Sequence, residues 1–305
     1  MSLKKYLFIF LICIIIFGIY FIYKENRTEM VDWVSELGYE DNQLYTLTFN
    51  FEGNRGCPEI SVALNNKEYR LIFDTGCGSG LALTNVIEND LEFDLIDTVE
   101  QLNRDGSHRG WSKEVNLKEL SVFNDSFKDI KTVIVDWNMM SSKKINGVIG
   151  LDYFEGRIIT LDYNGHQIGV KNKPIDYGNL NKDKYVILPL LKTSSKSQES
   201  LPFFIAKYKG EFIMVYLDTG KNHSFVYNPN SDSVIGGDVK ILKDINLEVG
   251  ELMLELTELG EVCNIEQASD LPHTTMIELN SDQIWKNNLL ITLDLIEGNI
   301  IFRKR

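Results

Sequence analysis

One short stretch constrains this chain more than any other, because it occurs twice. Arg70-Leu71-Ile72-Phe73-Asp74-Thr75-Gly76 returns in the same grammar as Met214-Val215-Tyr216-Leu217-Asp218-Thr219-Gly220. In each copy an apolar run that reads as a buried strand stops at an Asp, followed by Thr and a Gly that permits a tight turn. Such a unit carries a carboxylate on a rigid strand and points it into the space the turn borders. At average residue usage two Asp-Thr-Gly tripeptides arise by chance in roughly a few chains per thousand of this length, so duplication is the better explanation.

The repeat reaches beyond the tripeptide. Ahead of Asp74, Ile60 to Leu64 and Glu68 to Phe73 flank the polar turn Asn65-Asn66-Lys67 and read as a hairpin. Ahead of Asp218, Phe203 to Ala206 and Phe212 to Leu217 flank Tyr208-Lys209-Gly210 in the same way. Further upstream, Leu44 to Phe49 corresponds to Tyr185 to Leu190. Downstream, the hairpin from Leu161-Asp162-Tyr163 to Val170 answers to that from Leu293-Asp294-Leu295 to Phe302, so both halves close on the same element. Thr98 to Val115 has strand-like ends around a Gly-rich polar centre and reads as a long hairpin, with Val115 to Val122 and Ile130 to Val135 as the strands after it. Lys171 to Lys184, with Pro174 and Gly178, reads as the connection between halves, and Thr193 to Ser200 as an exposed low-complexity loop.

These residues resemble the aspartic protease clan, in particular two-lobed pepsin-like enzymes built from retropepsin-like units. Three features carry the resemblance: the two Asp-Thr-Gly turns, the apolar-apolar-Gly element Val148-Ile149-Gly150-Leu151-Asp152, and the Leu-Asp-Tyr hairpin after it. The resemblance implies an all-β, two-lobed fold with pseudo-two-fold symmetry. It makes Asp74 and Asp218 the catalytic pair, Thr75 and Thr219 the residues that brace the two turns, and Gly76 and Gly220 the points of close backbone approach. The implied activity is hydrolysis of peptide bonds in a polypeptide substrate, with neither metal nor other cofactor, by a monomer. The chemistry explains why one Asp should come from each half. Attack by water needs one group to take a proton and another to give one, and two neighbouring carboxyls that share a single proton supply both. The Thr98–Val115 hairpin corresponds to the flap that closes over substrate; it lacks the usual Tyr, and Trp111 and His108 are its aromatic candidates.

The chain departs from the family pattern in three places. Cys77 and Lys221 follow the two glycines where pepsin-like enzymes have Ser or Thr. Lys221 is expected to point into solvent, since desolvating an ammonium beside a partly neutral pair is costly. In the second half the counterpart of Ile149-Gly150-Leu151 reads as Ile277-Glu278-Leu279, without the Gly. Lys221, Glu278 and the missing flap Tyr keep a second function open, a non-catalytic binding module with the same two-lobed cleft; in a third reading the first lobe dimerises and the second is a structural cap.

A net charge of −13 in 305 residues excludes a nucleic-acid surface, because nothing here neutralises a run of phosphates. Cys13 lies in an apolar run, which leaves Cys57, Cys77 and Cys263; these read as isolated small apolar residues, with one bridge as the alternative. That apolar run, Tyr6 to Tyr23, is about as long as a bilayer core requires, and no small-residue cleavage site follows it. The expectation is a retained single-pass anchor with Lys4 and Lys5 on the cytoplasmic side and the body outside the cytoplasm. The expected organisation is therefore an anchor at 1–23, a spacer at 24–43, an N-terminal lobe at 44–170, a linker at 171–184 and a C-terminal lobe at 185–305.

Overall fold

The computed structural model describes residues 33–50, 56–102, 108–136, 144–193, 200–228, 230–233, 239–263 and 276–304. The expected anchor, Cys13 and the hairpin tip at 103–107 lie outside these residues. Among the described residues no helix is long and apolar enough to cross a membrane.

Strands dominate, and helix is confined to short pieces. The first half runs β1 (Leu44–Thr46), β2 (Thr48–Phe49), β3 (Pro58–Leu64), β4 (Lys67–Phe73), β5 (Leu81–Thr84), β6 (Asp94–Leu102), β7 (His108–Val122), β8 (Asp125–Val135), β9 (Gly147–Ile149), β10 (Ile158–Asp162) and β11 (Gln167–Lys171). The second runs β12 (Tyr185–Pro189), β13 (Phe203–Tyr208), β14 (Glu211–Asp218), β15 (Phe225–Tyr227), β16 (Lys240–Leu242), β17 (Ile245–Val249), β18 (Leu252–Leu256), β19 (Leu259–Val262), β20 (Met276–Asn280), β21 (Leu289–Asp294) and β22 (Asn299–Lys304). A 3-10 turn at Leu151–Phe154 and a short helix at Ser281–Lys286 follow β9 and β20.

Each half builds its own eight-stranded sheet around the strand that ends in Asp. β4 pairs with β3 as a hairpin and runs parallel to β9, which is antiparallel to β5, itself parallel to β8. β14 pairs with β13, runs parallel to β20, and continues through β15 to β19 in the same alternation. Both hairpin turns have two successive residues at positive φ, Asn65 and Asn66 in one and Lys209 and Gly210 in the other, the geometry that matches the twist of paired strands. Because β4 and β14 are interior strands covered on both faces, their ends are continuous apolar runs, and Leu71, Ile72 and Phe73 are all buried, as are Val215, Tyr216 and Leu217.

A third sheet joins the halves, three strands from each, in the order β1-β11-β10-β21-β22-β12. Its centre is the β10–β21 pair, where Thr160 stands opposite Thr292 and their hydroxyls lie 2.7 Å apart. Asp162 and Asp294 end the two central strands, and each folds its hairpin turn by accepting backbone N–H groups: Gly165 on Asp162 at 2.7 Å, Ile296 and Glu297 on Asp294 at 3.0 Å.

One face of this sheet is covered by the chain's connecting segments. Trp33, Leu37 and Tyr39 pack with Ile175, Leu180 and Tyr185 in one apolar cluster. The Trp33 indole donates to Asp162 at 3.0 Å, and the Tyr177 hydroxyl donates to Asp294 at 2.6 Å, so the segment before the first half and the linker before the second clasp equivalent aspartates. Within the expected spacer, residues 33–39 thus pack against this face of the sheet. Trp33 is fully buried, and Lys171 donates to the carbonyls of Leu37 and Gly38 where the helical turn at 33–36 ends.

Candidate active site

The ends of β4 and β14 bring the two Asp-Thr-Gly turns together. Thr75 and Thr219 interlock at the junction. The Thr75 hydroxyl donates to the carbonyl of Leu217 at 2.7 Å and accepts the Thr219 N–H at 3.1 Å; the Thr219 hydroxyl donates to the carbonyl of Phe73 at 2.6 Å and accepts the Thr75 N–H at 3.1 Å. Both threonines are buried, so each of these bonds replaces water that the site excludes. Within each turn the Gly N–H donates back to its own aspartate, Gly76 to Asp74 at 2.8 Å and Gly220 to Asp218 at 3.0 Å. Glycine is required for contact across the axis as well. A Cβ on Gly220 would collide with the Asp74 carboxyl, and one on Gly76 would stand 2.6 Å from Asp218 Cγ and 2.5 Å from the Tyr216 hydroxyl.

The two carboxyls are within hydrogen-bonding reach of each other, with consequences for their protons. Burial, then the charge of Asp218, then the hydrogen bond with it hold the Asp74 carboxyl well above the usual carboxylate range. The Gly76 N–H and the more distant Lys221 oppose this only in part. The thiol of Cys77, the residue after the first turn, is pushed up to about 11 by burial and by Asp74, so it is neutral beside the pair. It contacts the Ser79 hydroxyl at 3.4 Å. Among the described residues, Cys57, Cys77 and Cys263 form no disulfide with one another.

Lys221 corrects the expectation of an outward side chain. Its ammonium lies 2.9 Å from Asp218 Oδ2 and 3.0 Å from Glu278 Oε1, although half of the side chain (51%) remains open to solvent. Burial works against its charge, but Asp218 and Glu278 outweigh it and raise the lysine above its ordinary value. Its ion pairs are to Asp218 and Glu278 and do not extend to Asp74.

Glu278 also stands elsewhere than expected. The parallel ladders pair Ile72 with Val148 and Phe73 with Ile149 in one half, and Tyr216 with Glu278 and Leu217 with Leu279 in the other. Glu278 is therefore the counterpart of Val148, and Asn280 is the counterpart of Gly150. The reason for the exchange is local. A Cβ at Gly150 would meet the Cys77 backbone, whereas Asn280 fits its own lobe by donating to the carbonyl of His223 and to Glu278, the latter at 2.9 Å. Glu278 is buried in the middle of β20 and accepts three donors: Lys221, Asn280 and, on Oε2, the Tyr227 hydroxyl. Sequence spacing singled out Glu278 but set it opposite Gly150, and gave no sign of its pairing with Lys221.

Other site features lie where the repeat puts them. Ser281, at the start of the second helix, donates to the carbonyl of Thr219 at 2.8 Å and shares a hydrogen bond with Tyr163 at 2.8 Å, tying the Leu-Asp-Tyr hairpin of one half to the turn of the other. The long hairpin is formed by β6 and β7, with Glu100 opposite Trp111 and Leu102 opposite His108. Trp111 is more than half exposed, in company with Leu95, Ile96 and Val99 on the opposing strand. A separate cavity of about 440 Å³, lined among others by Leu151, Asp152, Leu190, Lys192, Pro202 and Leu295, includes neither Asp74 nor Asp218.

Comparison with protein-family models gives no match, and neither does comparison with curated proteins.

Proposed function

We propose that the chain is a pepsin-like aspartic endopeptidase, two-lobed and membrane-anchored through residues 6–23, whose Asp74 and Asp218 hydrolyse peptide bonds with an activated water. The observation that carries this reading is a pair of carboxyls in hydrogen-bonding reach, one from each half, with Asp218 buried and Asp74 half-buried, on turns locked by Thr75 and Thr219. In the reaction the ionised carboxyl takes a proton from water as the oxygen attacks the carbonyl carbon, and the protonated one gives its proton to the carbonyl oxygen. The tetrahedral diol then collapses: the carboxyl that took the water's proton gives it to the nitrogen, the C–N bond breaks to release an amine, and the other carboxylate takes a proton from a diol hydroxyl, leaving a carboxylic acid product and the dyad with its single proton. The exposed apolar residues of the β6–β7 hairpin suit a flap that lies against side chains of an extended polypeptide. The apolar run beside Lys4 and Lys5 supports a cytoplasmic N-terminus and an extracytoplasmic body.

The test is digestion of a denatured protein mixture from acid to neutral pH with mass-spectrometric readout. Cleavage is expected in the wild type and should fall by at least about a thousandfold in Asp74→Asn and in Asp218→Asn, because neither carboxyl can fill both roles. A statine-type inhibitor, whose hydroxyl takes the place of the attacking water, should bind the wild type. Cleavage that persists in either Asn variant would refute the assignment. The Lys221–Asp218 pair favours a second reading, a binding module without turnover; under it peptides bind the wild type and are recovered uncut.

A further inference from the structure

The two aspartates sit in unequal surroundings despite the symmetry of their turns. Asp218 has two donors of its own, the Gly220 N–H on Oδ1 and the Lys221 ammonium on Oδ2. Asp74 has the Gly76 N–H and its hydrogen bond with Asp218, and in the place of Lys221 it has the neutral thiol of Cys77. An ammonium at contact distance selects the ionised form of a carboxyl, so the single shared proton belongs on Asp74.

A lone cation there would do more than choose the bearer of the proton. It would also favour loss of that proton, leaving two carboxylates and no acid. Glu278 prevents this. Its carboxylate lies against the same ammonium at 3.0 Å, is held by Tyr227 and Asn280, and is buried in an interior strand, where an ionised group without a partner would be costly. Lys221 and Glu278 sum to zero, so the site keeps the net charge of an ordinary dyad carrying one proton.

We propose that Lys221 and Glu278 form a charge-neutral positioning pair that divides the labour of the dyad, with Asp218 fixed as the carboxylate that takes the proton from water and Asp74 as the acid that protonates the carbonyl. This rests on the peptidase reading but is tested apart from it. The other titratable groups facing the pair are Asp74 and Cys77 from the first turn, Tyr216 on β14, Tyr227 on β15 and Tyr163 after β10. Burial drives the thiol and all three phenols upward and keeps them neutral at acid and neutral pH. These four groups therefore add no charge in that range, and Lys221 stays positive throughout it.

The experiment follows the pH at which the dyad loses its proton, in the full-length chain, in two ways: the alkaline limb of peptide hydrolysis, and the carbon-13 shifts of labelled Asp carboxyls in the resting protein. Lys221→Met removes the cation, leaves Glu278 as an added negative neighbour, and should move the dyad's deprotonation upward by about one pH unit or more. Glu278→Gln leaves the cation unbalanced and should move it downward by a similar amount. The double variant should return close to the wild-type value, and Lys221→Arg should keep it. A purely structural pair would lower activity in every variant without opposite shifts or their cancellation. Equal or same-sign shifts in the two single variants overturn the proposal. If Glu278→Gln fails to fold, the contrast between Lys221→Met and Lys221→Arg decides: an unmoved titration in Lys221→Met refutes it. Opposite carboxyl shifts in a protein that cuts no peptide would sink the peptidase reading and leave the pair's electrostatic role standing.

Discussion

At the scale of single residues the site is governed by where protons and charges are placed, and that placement has a cost visible in stability. Asp74 is raised above its ordinary value of 3.8 in the folded protein by burial and by Asp218. The folded state therefore binds a proton in a range where the unfolded chain has released it, and stability must fall as pH rises from the unfolded value through the folded one. Asp74→Asn removes that dependence. Melting temperatures of wild type and Asp74→Asn, compared from about pH 3 to 7, should show the wild type losing ground steadily to the variant as pH rises. A difference that stays constant with pH would mean that Asp74 is not a proton-holding group. The residue scale is also where the sequence was least legible. Both aspartates and both threonines stood out because they repeat. Lys221 and Glu278 do not repeat, their counterparts being Cys77 and Val148, so symmetry gave no reason to pair them. A 57-residue separation hid an ion pair that only the β14–β20 ladder brings together.

At the scale of elements, the junction of β4 and β14 depends on four hydrogen bonds made by two hydroxyls. Thr75→Val leaves the carbonyl of Leu217 and the N–H of Thr219 without partners, and Thr219→Val does the same to Phe73 and Thr75. Each substitution keeps the β-branched shape, so the loss is of buried polar pairing and should cost about 1–3 kcal/mol in urea unfolding. The double variant should cost less than the sum, since a junction loosened by the first change has less left for the second to lose. Full additivity would indicate that the two turns do not act as one unit. The hairpins before these strands were readable because their turns carry Asn65-Asn66 and Lys209-Gly210 between apolar runs. The element after them was misaligned by two residues. The Gly that marks it in the first half is required by the Cys77 backbone, and Asn280 replaces it in the second, where its side chain donates to the carbonyl of His223. Sequence spacing could not register that difference, because it arises from how closely two non-adjacent segments approach.

At the scale of the whole molecule, the six-stranded sheet decides whether the halves are one folding unit or two. It takes three strands from each half, and its central pair, β10 and β21, is antiparallel and fully buried, with Thr160 and Thr292 hydrogen-bonded across the middle. Neither half can complete this sheet alone. Separate unfolding would expose the inner edges of β10 and β21 together with the Thr75–Thr219 junction. The sheet's covered face adds a second link: Tyr39 hydrogen-bonds Thr160 at 2.9 Å, Trp33 holds Asp162, and Tyr177 holds Asp294, so segments lying before each half clamp the strands at the axis. Urea unfolding of the protein should therefore give one transition by circular dichroism and by Trp fluorescence alike. Tyr177→Phe keeps the ring and removes one donor to a buried Asp, whereas Trp33→Phe removes a donor and also leaves a void where the buried indole stood; the first should lower the stability of that single transition by about 1–3 kcal/mol and the second by more. Both variants act on the same cooperative unit although they sit in segments belonging to different halves. Two separated transitions, or a Trp33→Phe effect confined to one of two probes, would show that the halves fold independently and that the shared sheet is a docking surface between finished domains.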